Sequence, residues 1–150
     1  MALKEVVADA GLKAMNITHR IILRASQGRL LTAPFGMPAV ELTVTGRKSG
    51  LPRKTLLTAP IIDQGKVVLV ASKGGDDRDP EWFRNLVANP DVEVKVISTG
   101  EVRRLRARVA DPEEKAAMWP AIVASYKGYA GYQRRTQRDI PVVICEPAVS

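Results

Sequence analysis

Residues 43–55 read TVTGRKSGLPRKT, which sets Arg47, Lys48, Arg53 and Lys54 among Gly46, Gly50 and Pro52. Like charges repel, so a plain β-turn gains nothing from crowding cations; the chemistry they suit is the capture of an anion. Arg47 and Arg53 can grip a phosphate or carboxylate through paired N–H donors, and Lys48 adds a point charge. The glycines allow backbone amides to converge on one space. The pattern G-x-x-x-x-G-K-[ST] is absent and strands are expected on both sides of the bend, so it is not a P-loop. A solvated hairpin with scattered charges is the competing reading of this bend on its own.

Two further segments carry polar chemistry. ASKGG (71–75) leaves a strand and runs through glycines toward a helix at Pro80, so Ser72, Lys73 and that helix N-terminus could cradle an anion or cofactor. Tyr126, Tyr129 and Tyr132 are the only tyrosines and recur at a spacing of three, with Gly128 and Gly131 between them. Those glycines weaken a helix and predict a loop or frayed turn. Its phenols could cover a flat ligand, donate a proton, or simply pack the last strand. Arg104, Arg106 and Arg108 fall on one side of a strand and read as its solvated face.

The elements that must position these residues follow from periodicity. Apolar residues at helical spacing from about Leu3 to Leu31 predict one or two amphipathic helices broken near Gly11, followed by the loop TAPFGMP. From 37 onward the period changes to that of strands, predicted at 39–45, 54–62, 66–72, 91–98, 101–110 and 140–147. Pro60 marks an edge or bulge in the second of these. PEWFRNLVAN reads as a helix capped by Asp79, and Asp111-Pro112-Glu113-Glu114 as a capping box opening a helix to about Ser125. The expected architecture is mainly β with helices, an α+β fold built on a small antiparallel barrel of about six strands. Two regions are expected: an N-terminal helical segment, 1–36, and a barrel domain, 37–150.

Composition excludes several classes. With 150 residues, 45% hydrophobic and 26% charged, the chain suits one folded domain and can bury a core. The single cysteine, Cys145, excludes an internal disulfide, and with the single histidine, His19, it leaves no metal-ligand set. Cys145 sits in IPVVIC and is expected to be a buried small hydrophobe. No apolar run is long enough for a bilayer span, and Lys4, Glu5 and Asp9 interrupt any signal peptide, so a cytoplasmic location is expected. The net charge of +7 is concentrated early: residues 1–60 hold nine Lys/Arg against three acids. That half meets something negative, whether nucleic acid, an anionic membrane surface or a phosphorylated small molecule. Nucleic-acid surfaces interleave aromatics with cations, and the first sixty residues offer only Phe35, so nucleic acid is not the expected partner.

TVTGRKSGLPR, VASKGGDDRDPEWFRNLVANPDVEV and YKGYAGYQRRT with IPVVICEP after it, taken together and in this order, resemble the deazaflavin-dependent nitroreductase family. The resemblance implies a split β-barrel like that of FMN-binding oxidoreductases, using the deazaflavin coenzyme F420. This coenzyme is strongly anionic through a phosphodiester and a glutamyl tail. By the same resemblance, Arg47, Lys48 and Arg53 would grip the anionic part, with Ser72 and Lys73 beside them. Thr55, Ala71, Trp82 and Asn85 would line the deazaflavin and its linker, and Tyr126, Tyr129 and Tyr132 would border the substrate as the catalytic side. The implied reaction is reduction of a small-molecule acceptor such as a quinone, a nitroaromatic or another unsaturated compound. An FMN-dependent barrel, or a carrier that binds F420 without turnover, is the alternative; FMN needs fewer cations than this bend supplies. An acceptor dissolved in membrane would suit the basic N-terminal segment, which could lie on the inner face of the cell membrane or pack on the barrel.

Overall fold

The computed structural model describes residues 37–63 and 65–148. The expected N-terminal amphipathic segment and its membrane contact, and His19, lie outside the described residues. Seven strands form one antiparallel sheet: β1 (Ala39–Thr45), β2 (Pro52–Thr58), β3 (Ile61–Ile62), β4 (Val67–Val70), β5 (Asp91–Val96), β6 (Val102–Val109) and β7 (Val142–Glu146). Three helices accompany them among the described residues: α1 (Glu81–Ala88), α2 (Pro112–Ser125) and α3 (Gly128–Arg135).

The strand order is β2-β1-β5-β6-β7-β4-β3, so β2 and β3 form opposite edges. Yet only Ala59 and Pro60 separate Thr58 from Ile61 in the chain. Three peptide steps reach about 11 Å, whereas a flat seven-strand sheet is about 29 Å wide. The sheet must therefore curl until its edges meet. Hydrogen bonds do not close the seam: Ala59 N–H donates to Pro38 O at 2.9 Å, and Pro60 has no N–H to give. The result is an open, split barrel. The sequence expectation of one strand over 54–62 is corrected by this break: what reads as a single strand is two edge strands of the same sheet. The count of about six becomes seven.

Alternation sorts side chains to two faces. Val40, Leu42 and Val44 of β1, Val67 and Leu69 of β4, and Val143 and Cys145 of β7 join one core, capped by Trp82, Phe83 and Leu86 of α1. Val68, Val70 and Val142 point the other way into a second core with Ile122, Tyr129 and Ile140. β4 and β7 are buried on both faces, which is why their sequences are continuous apolar runs. Cys145 is fully buried as expected, and burial pushes its thiol up to about 12. On β6, Leu105 and Ala107 face the core while Arg104, Arg106 and Arg108 face solvent; Val109, next along the Leu105 side, is 45% exposed.

The two helix caps diverge. Asp111 accepts from Glu114 N–H at 2.8 Å while the Glu114 carboxylate accepts from Asp111 N–H at 3.1 Å, a complete capping box. At α1 the cap position is Pro80, not Asp79, and no side chain caps it. Asp79 is drawn off by Arg138, 3.0 Å away. Replacement Asp111→Ala is expected to destabilise the protein by about 1 kcal/mol in denaturant unfolding, as N-cap losses do.

Candidate active site

The register of β1 and β2 builds a cleft. Val40 faces Leu57, Leu42 faces Thr55, and Val44 faces Arg53. Leu57, Thr55 and Arg53 therefore share the face of the first core, passing from apolar to polar to charged as β2 approaches the bend. The bend itself is fixed by Gly46 N–H donating to Leu51 O at 2.8 Å and Gly50 N–H to Gly46 O at 2.9 Å. Gly50 has φ of +70°, which favours glycine, and a Cβ on Gly46 would lie 2.6 Å from Ser49 Oγ and push that hydroxyl aside. Ser49 Oγ accepts from Leu51 N–H at 3.2 Å and from Arg53 Nη2 at 3.3 Å, which ties the second arginine to the turn.

α1 roofs this mouth. Asn89 Nδ2 donates to Thr45 O at 3.3 Å, holding the helix end against the end of β1. Asn85, almost fully buried, accepts on Oδ1 from Arg47 N–H at 3.1 Å and from Arg47 Nη1 at 2.8 Å. Arg47 Nη1 also meets Glu81 Oε2 at 2.9 Å. The open cleft measures about 320 Å³ and is walled by Arg47, Lys48, Ser49, Arg53, Thr55, Glu81, Trp82 and Asn85, among others. Six of the nine residues expected to bind a cofactor thus come together: Arg47, Lys48, Arg53, Thr55, Trp82 and Asn85. Distances of about 35 residues in sequence separate the bend from α1, and only the fold joins them.

Ala71, Ser72 and Lys73 do not line that cleft; they form a neighbouring structure. Lys73, Gly74 and Gly75 have φ of 46°, 65° and 85°, a left-handed turn that costs Lys73 some strain. Arg138 holds it. Its guanidinium donates to Ala71 O and Ser72 O at 3.0 Å each, to Asp76 O at 2.8 Å and to Asp79 Oδ1 at 3.0 Å. Burial lowers its pKa, against the opposing pull of Asp79 and Asp76. Gly75 lets the turn approach α3, since a Cβ there would lie 2.9 Å from Tyr132 O. The segment expected to cradle an anion is thus a corner packed against α3 at Gly75.

The tyrosines form the third unit. α3 is a helix across Gly128–Arg135, not the loop or frayed turn that the glycines predict. The reason is packing: a Cβ on Gly128 would lie 2.3 Å from the Tyr126 ring, so glycine is what admits that ring. Tyr126 and Tyr129 meet edge-on with centroids 5.4 Å apart, and Tyr132 lies 6.1 Å from each. Tyr126 and Tyr132 share a hydroxyl hydrogen bond of 3.2 Å. Tyr129 OH lies 3.4 Å from Thr58 Oγ1 and donates to Met37 Sδ at 3.6 Å. Burial raises the pKa of Tyr129, and burial together with the Tyr126 hydrogen bond pushes Tyr132 up to about 12. Both phenols are therefore neutral donors at physiological pH. None of the three lines the cleft; they pack in the second core, meeting β2 at Thr58, three residues along from Thr55.

Comparison with known proteins decides what this architecture belongs to. The family model described as F420H(2)-dependent quinone reductase matches residues 16–147. The chain belongs to that family. An F420H(2)-dependent quinone reductase of Mycobacterium tuberculosis is 40% identical over 131 residues, covering 84% of this chain and 85% of that protein. A putative F420H(2)-dependent quinone reductase of the same organism is 37% identical over 114 residues, covering 74% and 91%. The solved structure of an F420-H2 dependent reductase (FDR-A) is 41% identical, with a TM-score of 0.65 over 73% of this chain and 94% of that one. The resemblance carried by the three motifs is borne out, and with it an oxidoreductase that depends on coenzyme F420. The donor set fits that coenzyme: three cations converge on a cleft with an aromatic wall, more charge than one phosphate requires.

Sequence reasoning missed Glu81, Arg138 and Thr58. Glu81 opens a helix and Arg138 follows two other arginines, so each looks like surface charge; no local signal marks their partners. The paired glycines of α3 give a test of the packing. Gly128→Ala is expected to destabilise the fold by about 1–3 kcal/mol and alter the tyrosine near-UV dichroism. Gly131 has only Arg134 Nη2 within reach, at 3.8 Å. Gly131→Ala is expected to leave the spectrum unchanged and to stabilise by about 0.5–1 kcal/mol.

Proposed function

We propose that this reductase acts on quinone-type acceptors and that the barrel-mouth cleft holds the anionic part of its coenzyme. The observation that carries this reading is the convergence of Arg47, Lys48 and Arg53 with Trp82 and Asn85 on one cleft, in a chain of this family. Lys48 and Arg53 would meet phosphate and glutamyl carboxylates; Arg47, braced by Asn85, would present its remaining N–H groups. Thr55 and Trp82 would line the deazaflavin and its linker, Trp82 excluding water from the apolar floor. Ala71, Ser72 and Lys73 would support the coenzyme from the corner that Arg138 holds. When bound, the reduced deazaflavin supplies a hydride to an electrophilic acceptor. The protein's part is binding, orientation and proton management. Tyr126, Tyr129 and Tyr132 would flank the acceptor, and the neutral Oη of Tyr129 or Tyr132 would hold the proton that accompanies reduction.

Fluorescence titration with F420 and, in parallel, FMN at moderate salt tests the cofactor site. Tight F420 binding and weak FMN binding are expected; a preference for FMN would keep the fold and overturn the site. Lys48→Ala and Arg53→Ala should each weaken F420 binding about tenfold. Their thermal stability should hardly change, because both side chains are exposed. Tyr129→Phe should lower turnover with a quinone while coenzyme affinity stays near normal. Unchanged turnover would remove that hydroxyl from the reaction.

A further inference from the structure

The cleft contains a negative charge of its own. Glu81 stands among the cations, its Oε2 2.9 Å from Arg47 Nη1. The two sides of this pair are unequally held. Arg47 is 24% exposed and donates to Asn85 Oδ1 from both its backbone N–H and Nη1, whereas the Glu81 side chain is 70% exposed. Arg47 therefore does not need Glu81 for its position. The other carboxylate oxygen, Oε1, lies 3.8 Å from Arg84 Nη1 one helical turn on. A carboxylate that left Arg47 would still have a cation beside it, so its displacement costs little. The Arg47 hydrogen bond is the chief reason that the Glu81 carboxyl is held below its ordinary range, so it is ionised at physiological pH. Its chemistry on Arg47 is the chemistry of the anionic ligand that the cleft suits.

We propose that Glu81 is a built-in competing anion, an affinity-setting residue that occupies Arg47 and yields it to the coenzyme's phosphate or carboxylate, turning toward Arg84. This rests on the reading of the cleft as the coenzyme's anion site. The consequence is a weakened resting affinity: binding must displace an internal carboxylate, which favours release of the oxidised coenzyme after each turnover. A positioning role predicts the opposite sign, because a loosened Arg47 would bind less well.

The test is the F420 dissociation constant of the full chain by fluorescence, for wild type, Glu81→Gln, Arg47→Ala and the double variant, at low and high salt. Glu81→Gln keeps size and a hydrogen-bond acceptor but removes the charge. It should bind about two- to fivefold more tightly at low salt, with the gain shrinking at high salt. In the Arg47→Ala background the gain should fall by more than half. Inorganic pyrophosphate, read by thermal shift without coenzyme, should stabilise Glu81→Gln at lower concentrations than wild type. Equal or weaker binding by Glu81→Gln, or an undiminished gain without Arg47, would overturn the proposal. If Arg47→Ala, Lys48→Ala and Arg53→Ala all left affinity unchanged, the anion site itself would be misplaced. Affinity lost in those three but unaltered in Glu81→Gln would sink the competing-anion role alone.

Discussion

The two-residue link Ala59-Pro60 is the constraint on which the rest of this structure depends. It ties the two edge strands of a seven-strand sheet, β2 and β3, together, and a chain that short leaves curling as the only geometry. No strand pairing joins β2 to β3 among the described residues, so the barrel is split where its edges meet. Ser125 Oγ donates to Pro60 O at 3.0 Å, so the end of α2 is anchored at the same seam. Curling gives the sheet an inside and an outside, each with its own core. The inner face opens at the bend as the cationic cleft, and the outer face takes α2, α3 and the tyrosines.

Within that frame, polar side chains act mainly as braces between segments. Asn85 and Asn89 fix α1 to the bend and to β1. Arg138 holds the left-handed corner after β4, and Lys115 ties α2 to Gln133, to Asp139 and to Ile140 O, 2.8 Å away. Several of these contacts are charged yet half-buried, which is where charge-assisted hydrogen bonds gain over water. The exposed cations Lys48 and Arg53 are of another kind. They contribute little to the fold and sit where a mobile anion can reach them.

Much of this was legible in the chain. Most strand positions, the α2 capping box and the buried Cys145 follow from period-two alternation, local capping chemistry and apolar runs. Such signals act over a few residues. The cationic bend was legible as an anion site for the same reason: four cations within a few residues repel, and the conflict is visible without a structure. Where sequence reading went astray, a local rule met a distant neighbour. The segment 54–62 looks like one strand because the partner that splits it is the opposite edge of the sheet. Asp79 looks like a helix cap because Arg138, fifty-nine residues away, is not in view. Gly128 looks like a helix breaker because the ring that needs its empty space belongs to Tyr126 and turns back across it.

By itself the sequence determined most of the elements, the excess of positive charge and the family, because alternation, turn chemistry and motif order are local or linear properties. The tertiary structure alone decided which charges are engaged. It set Glu81 and Asn85 on Arg47, sent Ala71, Ser72 and Lys73 to a separate corner, and placed the tyrosines on the outer face of the sheet. The physical reason is that hydrogen bonds and ion pairs depend on distances of a few ångströms. Those distances between remote residues exist only once the sheet has curled.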